Sequence, residues 1–75
     1  MNKSRRGRLR LVRTKLEDAK NEIESILEEE DEARDNTAEN LVYSERYERS
    51  EECSESMENA IESLSDAIEH VENAL

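Results

Sequence analysis

Apolar residues return along this chain at alternating steps of three and four, in two runs separated by a short polar break. The first run is Leu9, Val12, Leu16, Ala19, Ile23, Ile26 and Ala33, interrupted at Glu30. The second is Tyr47, Met57, Ile61, Leu64, Ile68, Val71 and Leu75, with Ser50 and Ser54 as its polar members. This spacing puts one apolar stripe on each of two helices, in the a and d rhythm of a coiled coil. The expected fold is all-α: a two-helix antiparallel coiled-coil hairpin filling a single domain, 1–75. Helix 1 is expected over about 5–35, because Asp35, Asn36 and Thr37 bond locally to the backbone and stop a helix there. A connector, 36–43, lets Leu41 and Val42 cover the end of the core. Ser44 is the expected N-cap of helix 2, about 44–75, with Glu45 in its first turn.

Helix 2 repeats internally at the heptad period: Ser50 to Ser56, Met57 to Ser63, Leu64 to His70, then Val71 to Leu75. The repeat adds a third small or apolar column, Cys53, Ala60, Ala67 and Ala74, beside the seam. A stripe three positions wide can touch two neighbours, and a hairpin supplies one. A second copy is therefore expected against Cys53, Ala60, Ile61, Ala67, Ile68 and Ala74, giving a homodimeric four-helix bundle. Composition points the same way. The chain has 75 residues, no Phe, Trp or Pro, one Gly and 33% hydrophobic residues, too little apolar surface for a comfortable isolated core.

Charge is unevenly placed. The formal net charge is -10, yet residues 1–20 carry eight Lys or Arg against Glu17 and Asp18, and the remainder is strongly acidic. Cations at the start of helix 1 and Glu69 and Glu72 at the end of helix 2 both oppose the helix dipole. Antiparallel pairing reconciles them by setting Arg8 to Lys20 beside Glu58, Glu62, Asp66, Glu69 and Glu72, which are expected to pair across the hairpin. Toward the turn the acids face one another, with only Arg34, Arg46 and Arg49 to offset them. That half is expected to be an acidic surface and the weaker part of the seam, since Glu30, Ser50 and Ser54 stand where aliphatic residues belong.

The chemistry-bearing residues form few constellations. Lys3, Arg5, Arg6, Arg8 and Arg10 carry the charge of a basic arm able to contact phosphates, and Arg5, Arg6, Arg8 and Arg10 are the candidate polyanion contacts. No base-reading set accompanies them, so direct nucleic-acid binding is the lesser expectation. The acids of the turn-proximal half, Glu28, Glu29, Asp31, Glu32, Glu48, Glu51 and Glu52, with Tyr43 beside them, are the candidate partner-binding surface. Carboxylates along a rigid rod can occupy a site built for phosphates and be held there by Arg and Lys. His70 is alone at an exposed position, no EF-hand spacing occurs, and the Glu-x-x-His pairs of helical di-iron bundles are missing. No nucleophile, base and orienting acid converge. Neither a catalytic centre, a metal site nor a cofactor is expected. Cys53 cannot form an internal disulfide, which suits a reducing cytoplasm, and no run approaches the roughly 20 apolar residues of a membrane span.

The stretch Asp35-Asn-Thr-Ala-Glu-Asn-Leu-Val-Tyr-Ser-Glu-Arg-Tyr-Glu, followed by Glu/Ala/Ile heptads, resembles a group of small acidic helical-hairpin proteins of unknown function from Firmicutes and their phages or mobile elements. Ala38 stands where members of that group often carry Pro. The resemblance implies a phage-encoded accessory protein that binds a host factor, and carries no site residue over. Three readings follow. The first is a non-enzymatic protein that self-associates and binds a host or phage protein of basic surface through its acidic half. The second is an anti-defence inhibitor whose acids mimic DNA or RNA in a host nuclease or immune complex. The third is polyanion binding through the basic arm.

Overall fold

A computed structural model describes residues 1–42 and 44–75; the Tyr43 expectation lies outside them. Helix α1 spans Lys3–Asp35 and helix α2 spans Glu45–Ala74, joined by a connector holding a single 3-10 turn, Glu39–Leu41. The two helices pack antiparallel into a rod 60 × 14 × 13 Å, an all-α hairpin. Long uninterrupted helices follow from a chain rich in Glu, Ala, Leu, Lys and Arg and free of Pro. Each helix start is capped by a side chain: Asn2 Oδ1 accepts from the Arg5 amide at 2.8 Å, and Ser44 Oγ, as expected, accepts from the Tyr47 amide at 3.1 Å. Because Asn2 caps it, α1 opens ahead of Arg5. At its other end Asn36 and Thr37 donate backbone hydrogen bonds to Glu32 and Arg34, closing the helix.

Where the seam runs on α1 differs from expectation. The half-buried positions facing α2 are Leu9, Arg13, Leu16, Lys20, Ile23, Leu27, Glu30 and Arg34, while Val12, Ala19, Ile26 and Ala33 stand exposed. Val12 keeps 41% and Ile26 47% of its surface open. Thus Leu9, Leu16 and Ile23 belong to the seam, but the other half of the apolar stripe is turned to one side. Arg13 and Lys20 take those places because their aliphatic stems cover apolar surface while their charged heads reach water. There they meet Glu17 at 4.0 Å and Glu24 at 3.8 Å, each one turn along the same helix. On α2 the half-buried stripe is the expected one: Tyr47, Met57, Ile61, Leu64, Ile68, Val71 and Leu75.

Two further expectations are corrected. Among the described residues every ion pair lies within one helix, so the basic start of α1 does not pair with Glu58, Glu62, Asp66, Glu69 or Glu72. Arg13 and Lys20 have nearer acids one turn away, which cost less ordering of long side chains than a reach across the seam. Leu41 does not close the core either, since its side of the 3-10 turn faces solvent with 49% of its surface open. Among the described residues no apolar side chain is fully buried.

Candidate functional site

Among the described residues, the one sealed from water is polar. Ser54, 4% exposed, lies at the centre of a network that joins the helices near the turn. Arg34 Nη1 donates to Ser54 Oγ at 2.7 Å and to the Ser50 carbonyl and hydroxyl oxygens at 3.2 Å each. Its Nη2 donates to Asp31 Oδ1 at 2.6 Å. Ser54 in turn donates to the same Asp31 oxygen at 2.7 Å, and Ser50 donates to Glu30 Oε1 at 2.7 Å. Glu30, Ser50 and Ser54 are therefore not a defect in the stripe; with Arg34 they form a satisfied polar layer in which no buried side-chain atom lacks a partner. The hydrogen bond from Ser54, then that from Arg34, holds the Asp31 carboxyl below its ordinary value of 3.8, against a smaller opposing effect of burial. The same bond to Asp31 raises the Arg34 guanidinium further above its ordinary value. The signal for this layer was present in the sequence: Arg34 falls on the three-and-four rhythm four residues after Glu30, at the point where both helices turn polar.

The network also divides the hairpin into two unlike sides. In an antiparallel pair, residues one step before the first seam position of each heptad share a side of the rod, and so do residues one step after the second seam position. On one side stand Val12, Ala19, Ile26 and Ala33 of α1 with Cys53, Ala60, Ala67 and Ala74 of α2. Ala33 and Cys53 line the same groove of about 640 Å³ near the turn, together with Arg34, Tyr47 and Arg49. The opposite side is polar: Arg10, Glu17, Glu24 and Asp31 on α1, with Glu51, Glu58, Ser65 and Glu72 on α2. A shallow depression there, of about 430 Å³, is lined by Glu24, Leu27, Glu28, Asp31, Glu32 and Asp35.

The candidate residues sort onto these surfaces unevenly. Glu28, Asp31 and Glu32 share the acidic depression, and Glu51 stands on the same polar side. Glu29 points toward the apolar side, whereas Glu48 and Glu52 are exposed on the outer face of α2. Asp31 is half-buried and engaged internally, which makes it a structural acid. Of the expected oligomer contacts, Ile61 and Ile68 face α1 within the hairpin; Ala60, Ala67 and Cys53 are half-buried and Ala74 exposed along the apolar side. Arg5, Arg8 and Arg10 are exposed, and Arg6 donates to the Met1 carbonyl oxygen at 3.0 Å. His70 is exposed. Among the described residues no three His, Cys, Asp or Glu side chains are grouped to hold a metal ion, and no helix is long and apolar enough to cross a membrane.

No protein-family model, curated protein or solved structure matches this chain.

Proposed function

We propose that this chain is a non-enzymatic helical interaction protein. It self-associates through its apolar side and offers its acidic turn-proximal half to a protein partner of basic surface. The observation that carries the reading is the one-sidedness of the hairpin: both helices turn a column of small and aliphatic residues to the same side, beyond the seam they share. A rod that needs only its own two helices has no use for the open surface of Val12 (41%) and Ile26 (47%), which forgoes about 1 kcal/mol of burial at each. The acidic half supports the second part of the reading. Its carboxylates at Glu28, Glu32, Glu48 and Glu52 are exposed on a helix pair that the Arg34 network bonds together, a spread of negative charge suited to Arg and Lys on a partner.

The test has two arms. Sedimentation equilibrium of the full chain should give an associated species, and Ile26→Asp should shift it to monomer with helicity kept in circular dichroism; a wild-type chain that stays monomeric at high concentration sinks the self-association. For the partner, a tagged chain is used on bacterial lysate after nuclease treatment, across a salt series. Replacing Glu28, Glu32, Glu48 and Glu52 by Gln should abolish capture of whatever protein the wild type retains, and undiminished capture removes the acidic half from the reading. A retained nuclease or other nucleic-acid-processing complex would assign these acids to mimicry of a phosphate backbone.

A further inference from the structure

The apolar side carries more than adhesion, because the residues that border it on α1 are charged in a self-complementary order. Outside Val12, Ala19 and Ile26 runs the column Arg8, Lys15, Glu22 and Glu29. All four are exposed, and none takes part in an ion pair within the hairpin among the described residues. Laid antiparallel on a second copy of itself with Ala19 at the centre, α1 sets Arg8 against Glu29 of the partner subunit and Lys15 against Glu22 of the partner subunit. The same alignment puts Val12 on Ile26 of the partner subunit and brings Ala19, a small residue, to the closest approach. An isologous contact requires this kind of pattern, one that maps onto itself when the chain direction is reversed.

We propose that the covering surface is a second copy whose turn points the opposite way, with α1 packed on α1 across a twofold axis at Ala19. This rests on the self-association reading and fixes its geometry. Two further observations select it. Residues 21–58, the turn-proximal part, carry fifteen acids against three Arg, whereas residues 1–20 and 59–75 together carry eight Lys or Arg against six acids. Opposed turns set each acidic half beside the other copy's basic one. Turns at the same end would set acidic half on acidic half, and would lay the charged column of α1 along Ser56, Ser63 and His70 of α2, which offer it no complement. The rod also exposes more surface than a compact fold of its mass would. A compact protein of 8.7 kDa exposes about 4,700 Å², and this chain exposes 5946 Å². The excess exceeds the roughly 800 Å² per partner of a standard stable interface.

Cross-linking of the full chain in a Cys53→Ser background tests the geometry. Under mild oxidation Ala19→Cys should convert most of the protein to a covalent dimer, since the two copies of position 19 meet at the axis. Ala33→Cys, placed far from its own copy by opposed turns, should give little or none. As a second readout, Arg8→Glu and Glu29→Arg should each weaken association roughly fivefold at low salt, and the double variant should restore it. A dimer by sedimentation that cross-links at position 33 but not at 19, or a double variant no better than the singles, overturns the orientation while leaving self-association standing. A chain that remains monomeric defeats the self-association reading itself, a result separable from the other two.

Discussion

The terminal and turn-proximal halves of the seam hold the same two helices together by different chemistry. Toward the termini, Leu9, Leu16 and Ile23 meet a stripe of Ile61, Leu64, Ile68 and Val71, and the contact is apolar and non-directional. Toward the turn, Glu30, Arg34, Ser50 and Ser54 replace aliphatic packing with hydrogen bonds of fixed length and angle. Aliphatic layers can slide by a turn and still bury area, so they supply adhesion without specifying register. A polar layer has one arrangement in which all its partners are met, and a slipped hairpin would leave Arg34 and Asp31 facing apolar side chains. Labour is divided along one rod: adhesion at one end, alignment at the other.

Substitutions in each half should separate the two roles. The largest effect is expected at Leu64, where truncation to Ala removes half-buried aliphatic surface and should cost about 2 kcal/mol in urea denaturation followed by circular dichroism. A loss well under that value would mean the terminal half contributes less adhesion than its composition implies. Ser54→Ala removes the hydroxyl shared by Arg34 and Asp31 and should cost about 1 to 2 kcal/mol. Its more telling signature is register: spin labels on the two helices should report a broadened distance distribution in Ser54→Ala and not in Leu64→Ala. Equal broadening in both would erase the distinction between the halves.

A pH series sharpens the same contrast. The Asp31 carboxyl sits below its ordinary value of 3.8 in the folded chain. Its contribution to stability is thus fully present above that value and is lost as pH falls through the lowered one. The stability difference between wild type and Asp31→Asn should accordingly be constant near neutral pH and shrink in acid, whereas the difference between wild type and Leu64→Ala should not follow Asp31. A difference that persists unchanged into strong acid would show that the carboxylate is not what the network holds. The smallest effect is expected at the start of α1, outside both halves of the seam. A Cβ built on Gly7 meets nothing within 4 Å, so Gly7→Ala should stabilise α1 by about 0.5 to 1 kcal/mol, less if that end frays. Destabilisation there would reveal a contact along the start of α1.

Much of the fold was legible from periodicity. Two three-and-four runs around a polar break define two helices and their antiparallel return, and Ser44 announces the start of the second. The rotation of α1 was not legible, because its apolar residues form a stripe wide enough to face either α2 or the open side. The pattern of Leu9, Val12, Leu16 and Ala19 is equally periodic in both orientations. The choice falls to residues that pattern counting discards, namely the stems of Arg13 and Lys20 and the reach of Arg34 to Ser50 and Ser54. The expected ion pairs across the hairpin failed for a related reason: total charge predicts which ends attract, while individual partners are chosen by proximity along one helix. At the candidate site, the acids were visible as composition, but the internal duty of Asp31 depends on a hydroxyl 23 positions away.

A hairpin whose described residues include no sealed apolar side chain has little reserve against opening. Any surface that completes its apolar side, another copy or a different protein, stabilises the folded form by mass action, by an amount that grows with its free concentration relative to its Kd. The amount of that binder in a cell then becomes a determinant of the chain's own lifetime. Copies in excess of it are the ones that open and meet proteases, so abundance would be trimmed to match what there is to bind.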